Sequence, residues 1–314
     1  MDSFHFAINA TMPIFLVIVL GWVLMRMGVF NQAFADVADK YVFKVALPVL
    51  LFYDIATTNL RQGFDLKFVL FCMVSTTTMF LGIWLLAHLS MKDKSLVGAF
   101  SQAAARSSAA ILGIAFVMNI YGNLGQTPLM IVAAVPLFNI YSVIILSSSA
   151  SDNPGGRGHI KHTCLNVIKN PIILGILAGL PFSLLGIKFP VIVAKTITSV
   201  GSTATPVALL MVGAGFEGRK ALARIKPTVM ATAIKLLILP AIFLPLAVFM
   251  GFTKSELVAV LIMTGSPTTV SCYIMAKNMD NDAILSSSII VLATLLSSVT
   301  LTGWIFLLRH MALI

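Results

Sequence analysis

The chain has 314 residues, of which 59% are hydrophobic and only 10% charged. A mean hydropathy of +1.00 excludes a soluble domain of this length and indicates an integral membrane protein. The formal net charge is +10, but the basic residues cluster at the ends of apolar runs, which is the signature of membrane orientation and not of a nucleic-acid patch.

Apolar runs of the roughly 20 residues needed to cross a bilayer recur along the whole chain. In chain order, spans are predicted over 7–27, 37–58, 66–88, 96–120, 127–149, 170–187, 190–213, 227–250, 255–277 and 284–308. Asp2 and no Lys or Arg precede the first run, and no small-residue cleavage site follows it, so it is expected to be a retained span. Between the fifth and sixth spans lies "SASDNPGGRGHIKHTCLNVIK", a Pro/Gly-rich connection. The predicted organisation is a first half over 1–149, a cytoplasmic linker over 150–169 and a second half over 170–314. With the amino terminus outside, thirteen Lys and Arg residues fall on the inner side, among them Arg26, Lys92, Lys94, Arg219 and Lys277, against six outside. Both termini are therefore predicted to be outside.

A gap-free shift of 158 residues superposes Pro13 on Pro171, Gly21 on Gly179, Gly28 on Gly186, Pro48 on Pro206 and Ser108 on Ser266. Five spans per half is an odd number, so the second half must enter the membrane upside down, as in many secondary transporters. The expected fold is an all-α integral membrane protein of ten transmembrane helices, built as two inverted five-helix repeats.

The ninth span contains "TGSPTTVSCY", a proline among hydroxyl residues where a helix should continue. At 1.5 Å per residue, Arg106 to Ser108 in the fourth span and Ser266 to Pro267 in the ninth each lie about 15–18 Å deep, near the middle of a ~30 Å core. Ser266 and Pro267 read as an N-cap and first-turn proline, with Thr268 and Thr269 in the new first turn. Ser107 and Ser108 would cap a restart at Ala109. Two helix amino termini and the charge of Arg106 would then form an anion site. Other readings stay open: a simple kink at Pro267, helix-packing hydroxyls like those of Thr76, Thr77 and Thr78, or a structural ion pair for Arg106.

Lys235 lies about 12 Å from the inner end of the eighth span and either pairs with a substrate or braces the crossing. Asp54 is expected at the outer interface. No Asp or Glu lies within 98–119 or 257–277, which argues against a carboxylate-based sodium or proton site at the crossing itself. Cys72, Cys164 and Cys272 are isolated and without metal spacing, so no metal and no cofactor are expected. "GAGFEG" at 213–218 ends a span without βαβ context, and "GILAG" at 175–179 reads as close helix packing. No HExxH and no paired intramembrane carboxylates occur, and no enzyme chemistry is visible.

The stretches "MPIFLVIVLGWVLMRMGVF", "DKYVFKVALPVLLF", "FSQAAARSSAAILGIAF", "VPLFNIY", "IKLLILP" and "GSPTTVSCYIMAKN" resemble the auxin efflux carrier family, whose bacterial members include malonate and other carboxylate permeases. The resemblance covers nearly the whole chain. It implies a fold similar to bile-acid/sodium symporters, with broken crossing helices 4 and 9, in the bacterial cytoplasmic membrane. It also implies a scaffold of spans one, two, six and seven, often forming a homodimer, beside a moving domain of spans three to five and eight to ten. Carried onto this chain, the carboxylate site comprises Arg106, Ser107, Ser108, Ser266, Pro267, Thr268 and Thr269, with Asn139 and Lys235 at family-like positions nearby. Plant members carry Asn-Pro in both crossing helices, whereas this chain has Ser-Ser and Ser-Pro, and it lacks their long central loop. A small carboxylate is therefore expected as the substrate in place of auxin. The expected function is secondary transport of a small organic anion by alternating access, in contact with membrane lipid, with sodium or proton coupling left open. A sodium-coupled symporter and a non-transporting sensor are the alternatives.

Overall fold

A computed structural model describes residues 2–57, 65–149 and 169–314. The linker, with Arg157, Lys161 and Cys164, lies outside the described residues apart from its last position, as does Arg61. Among the described residues every regular element is helical. The first half contains α1 (Asp2–Arg26), α2 (Gln32–Tyr41), a π-helical turn (Val42–Ala46), α3 (Leu47–Thr57), α4 (Leu66–Ser90), α5 (Val97–Ala105), α6 (Ala109–Tyr121) and α7 (Thr127–Ser149). The second contains α8 (Pro171–Leu185), α9 (Val191–Gly201), α10 (Ala204–Ala214), α11 (Gly218–Ala223) and α12 (Ile225–Ala233). A second π-helical turn (Ile234–Ile238), α13 (Leu239–Phe249), α14 (Ser255–Gly265), α15 (Ser271–Asn278) and α16 (Ala283–His310) complete it.

Among the described residues, five helical stretches are long and apolar enough to cross a membrane: Leu66–Ser90, Thr127–Ser149, Val191–Ala214, Ile225–Phe249 and Ala283–His310. The other predicted spans are shorter, carry charge or are interrupted. Large apolar side chains such as Leu16, Leu86, Leu184 and Phe249 are exposed on the exterior, which suits a surface solvated by hydrocarbon. Polar side chains mark where helices begin. Asn31, Asp65, Asn170 and Asp282 accept hydrogen bonds from the first-turn N–H groups of Phe34, Phe68, Ile172 and Leu285, at 2.8, 3.1, 3.0 and 2.7 Å.

Both π-helical turns run directly into Leu-Pro, at Leu47-Pro48 and at Leu239-Pro240. Proline cannot donate to the carbonyl four residues back and its ring crowds that carbonyl, so the helix widens by one residue ahead of it. In the second case the widened turn carries Lys235, which is 0% exposed.

The buried apolar residues fall into two clusters. One joins α4 to α7 with α12 to α14 and α16, and the other joins α1 to α3, α8 and α10, together with α15. Within the second cluster, α1 packs on α10 and α3 on α8. Both crossings are made close by glycine. A Cβ added at Gly21 would lie 2.1 Å from the Leu210 carbonyl oxygen, and one at Gly179 would lie 2.7 Å from that of Phe52. Gly179 follows Gly21 by 158 residues, and Leu210 follows Phe52 by the same 158. The small residues of "GILAG" thus serve packing within the chain, since Gly175 likewise lies against the Pro48 carbonyl. Gly213 of "GAGFEG" is seated on the backbone of Ile18. Within the second cluster, Lys277 on α15 also pairs with Asp36 at 3.1 Å and Asp39 at 2.5 Å on α2.

Gly213→Ala, whose Cβ would lie 1.9 Å from the Ile18 carbonyl oxygen, is expected to lower the thermal unfolding midpoint of the detergent-purified protein by several degrees. Gly303→Ala, where nothing lies within 4 Å, is expected to leave that midpoint unchanged.

Candidate functional site

The fourth and ninth predicted spans are both interrupted. Residues 106–108 separate α5 from α6, and residues 266–270 separate α14 from α15. The two interrupted segments pass each other antiparallel. Gly98 lies against the Asn281 side chain at one end and Gly125 against Ser255 at the other. Between them the Gln102 side chain donates to the Cys272 carbonyl at 2.9 Å, and the Ser108 N–H to the Pro267 carbonyl at 2.9 Å.

Two helices, α5 and α14, end at this crossing, and their last carbonyls have no intrahelical partner. Lys235 meets both ends. Its ammonium donates to the Thr264 carbonyl at 2.7 Å, to the Ala105 carbonyl at 3.4 Å and to the Ser107 hydroxyl, which itself donates to the Met263 carbonyl. Each helix C-terminus carries about half a negative charge. Two of them match one ammonium, so Lys235 braces the crossing.

The other pair of ends, the amino termini of α6 and α15, borders a cavity of about 270 Å³. Its wall includes Arg106, Ser107, Ser108, Ala109 and Ala110 from one break and Thr269, Val270 and Ser271 from the other. The opposite wall comes from α3 (Leu47, Leu50, Leu51, Asp54) and from Ala204 and Thr205 of α10, while Val135 and Phe138 of α7 close one side. Arg106 is 5% exposed. Its guanidinium donates to Asn139 Oδ1 at 2.7 Å and to Ser142 Oγ at 3.5 Å, and lies 2.8 Å from Met275 Sδ. Among the described residues no carboxylate lies within salt-bridge distance of it. A full positive charge is therefore held at the cavity wall by neutral groups, beside two partial positive charges from helix ends.

Of the nine residues expected at the site, Arg106, Ser107, Ser108 and Thr269 line the cavity. Asn139 orients Arg106, and its own amide donates to the Val135 carbonyl at 2.9 Å. Lys235 lies at the C-terminal ends, away from the lining. The reading of Ser266 and Pro267 as an N-cap and first-turn proline is corrected. Ser266 is the C-cap of α14, and α15 begins only at Ser271. The restart is late because the intervening polar groups are engaged by the other chain segment: the Pro267 carbonyl takes the Ser108 N–H, and the Thr268 hydroxyl donates to the Ala103 carbonyl at 2.6 Å. The Ser266 hydroxyl is buried without a hydrogen-bond partner. The restart at Ala109 is as expected, although Ser108 caps by position alone, with no side-chain bond.

Asp54 is corrected too, from the outer interface to the cavity wall. Ser142 and Met275 were missed, because a serine and a methionine in an apolar helix carry no signal of what they face. Thr76 and Thr77 do bridge helices, Thr76 reaching Met263 Sδ at 3.8 Å and Thr77 accepting from the Tyr141 hydroxyl at 3.1 Å.

Lys235→Met would leave the Ala105 and Thr264 carbonyls without their cation. It is expected to cost at least about 2 kcal/mol of stability, read as a lowered unfolding midpoint in detergent. Lys195→Met, at an exposed position on α9, is expected to leave the midpoint unaltered.

The chain is 23% identical over 298 residues to an "Uncharacterized transporter" of Methanothermobacter thermautotrophicus, covering 94% of this chain and 96% of the relative. It is 22% identical over 309 residues to "Uncharacterized transporter YfdV" of Escherichia coli K12, covering 97% and 98%. The family described as "Membrane transport protein" matches over residues 6–155 and 157–305. On that match through both halves, the chain belongs to this transporter family, that of the auxin efflux carriers.

Proposed function

We propose that this chain is a secondary transporter that moves a small organic anion, malonate or a similar carboxylate, across a bacterial cytoplasmic membrane by alternating access. The observation that carries the reading is Arg106, a buried guanidinium with neutral partners in the wall of a cavity that two helix amino termini also border. A carboxylate entering this cavity supplies a countercharge that none of the groups contacting Arg106 provides. The volume of about 270 Å³ lies just below the range of drug-sized ligand pockets, roughly 300 to 1,000 Å³, and suits a smaller, metabolite-sized acid.

The proposed architecture is ten spans in two inverted halves, 1–149 and 170–314, joined by a cytoplasmic linker, with both termini outside. It is supported by the antiparallel passage of the two interrupted segments and by the matched glycine contacts, Gly21 on Leu210 and Gly179 on Phe52. Alternating access would move the body made of α4 to α7, α12 to α14 and α16 against the body made of α1 to α3, α8 and α10, which would form the homodimer contact. The two apolar clusters support that division except at α15, which belongs to the ninth span yet packs in the cluster of α1 to α3, α8 and α10, and the cavity lies where the clusters meet.

Counterflow of radiolabelled malonate into proteoliposomes preloaded with unlabelled malonate tests the reading. Wild type is expected to exchange. Arg106→Ala is expected to cut the rate at subsaturating malonate at least about tenfold, as removal of one partner of a buried charged contact does. Equal exchange by a folded Arg106→Ala protein would remove the electrostatic basis of the proposal.

A further inference from the structure

We infer that Asp54 takes up a proton when the anion loads, so that the carrier moves proton and anion together. The inference rests on the transport reading above and adds the coupling ion and the residue that carries it.

Leu47, Leu50, Leu51 and Asp54 all line the cavity. Their spacing of three, four and seven residues is one face of α3, so helical geometry directs the aspartate where it directs the three leucines. Asp54 is the single carboxylate among the lining residues, on the wall opposite Arg106. Its three companions on that face are leucines.

The charges in the empty cavity oppose one another, with Arg106 and two helix amino termini on one wall and Asp54 on the other. An incoming anion neutralises the first set and adds its charge to the second. Two negative groups in one small, apolar-walled cavity cannot both stay ionised without cost, and proton uptake by Asp54 relieves it. Anion and proton therefore bind with positive linkage, each raising the affinity for the other. By the same linkage, malonate affinity rises as pH falls. Among the described residues, the other charged or titratable groups close to Asp54 in sequence or on packed elements are few. They are Tyr53 beside it, Lys44 in the preceding π turn, Lys195 on α9, and Lys188 next to Phe189, whose ring stacks on Tyr53 at 6.3 Å. α8, which packs most extensively on α3, brings no titratable side chain. One proton lowers by one the net negative charge carried per cycle, which eases uptake into a cell with an inside-negative potential.

Isothermal titration of malonate into the purified protein, in buffers of different ionisation enthalpy at one pH, counts the protons taken up per malonate bound. Wild type is expected to take up about one, Asp54→Asn close to none and Asp54→Glu again about one. The count is a ratio per bound anion, so a general loss of active protein does not move it. Malonate binding by wild type without proton uptake would overturn the inference while leaving the transport reading intact. So would an Asp54→Asn protein with the wild-type count. Absence of both malonate binding and counterflow in folded wild type would overturn the malonate reading and this inference with it.

Discussion

The crossing depends on the contact between Lys235 and the carboxyl-terminal ends of α5 and α14. Ending two helices within an apolar interior exposes carbonyls that hydrocarbon cannot solvate. One fully buried ammonium answers both ends, because two helix termini together carry about one negative charge. The π-helical turn ahead of Pro240 puts that ammonium in reach. With the carboxyl ends satisfied by the protein itself, the amino ends of α6 and α15 remain on the cavity side. The crossing is thereby polarised, with protein cation against C-termini on one side and Arg106 with two N-termini facing an open volume on the other.

The position of that volume follows from packing. Glycines at 21, 179 and 213 let α1 meet α10 and α3 meet α8 at backbone contact, which makes a tightly joined body. The crossing segments belong mostly to the other apolar cluster, and α3 and α10 of the first body supply the facing wall. A site walled by both bodies would change its access if one moved against the other, as the proposed transport requires. α15 packs with the first body and carries Lys277, whose pairing with Asp36 and Asp39 on α2 fastens the end of the second crossing segment to that body. Asp39 is 2% exposed, so this tie is sheltered from the screening that weakens surface ion pairs.

Much of the frame is legible in the sequence. The helix over 127–149 was predicted with the bounds it has, and the break at 106–108 was visible as a buried arginine and two serines without a proline. The second break was visible as "SPTT", but its geometry was not. A Ser-Pro pair ordinarily opens a helix, and here it follows one, because the polar groups of 266–270 are drawn to the opposite segment before a new turn can close. Lys235 was recognisable as costly, yet substrate contact and bracing were equal readings until its acceptors were known.

The sequence by itself determined the membrane class, the recurrence of apolar runs and the presence of two cations within them, and it marked the two places where a helix could break. These follow from hydropathy and local chemistry, which depend on near neighbours along the chain. Only the tertiary structure decided that Lys235 serves carbonyls 130 and 29 residues away, that Arg106 is held by neutral partners, and that Asp54 joins it in one cavity. Those facts concern which polar groups meet across helices, and the pairing is set by the close approach of packed helices, a long-range property that local sequence does not encode.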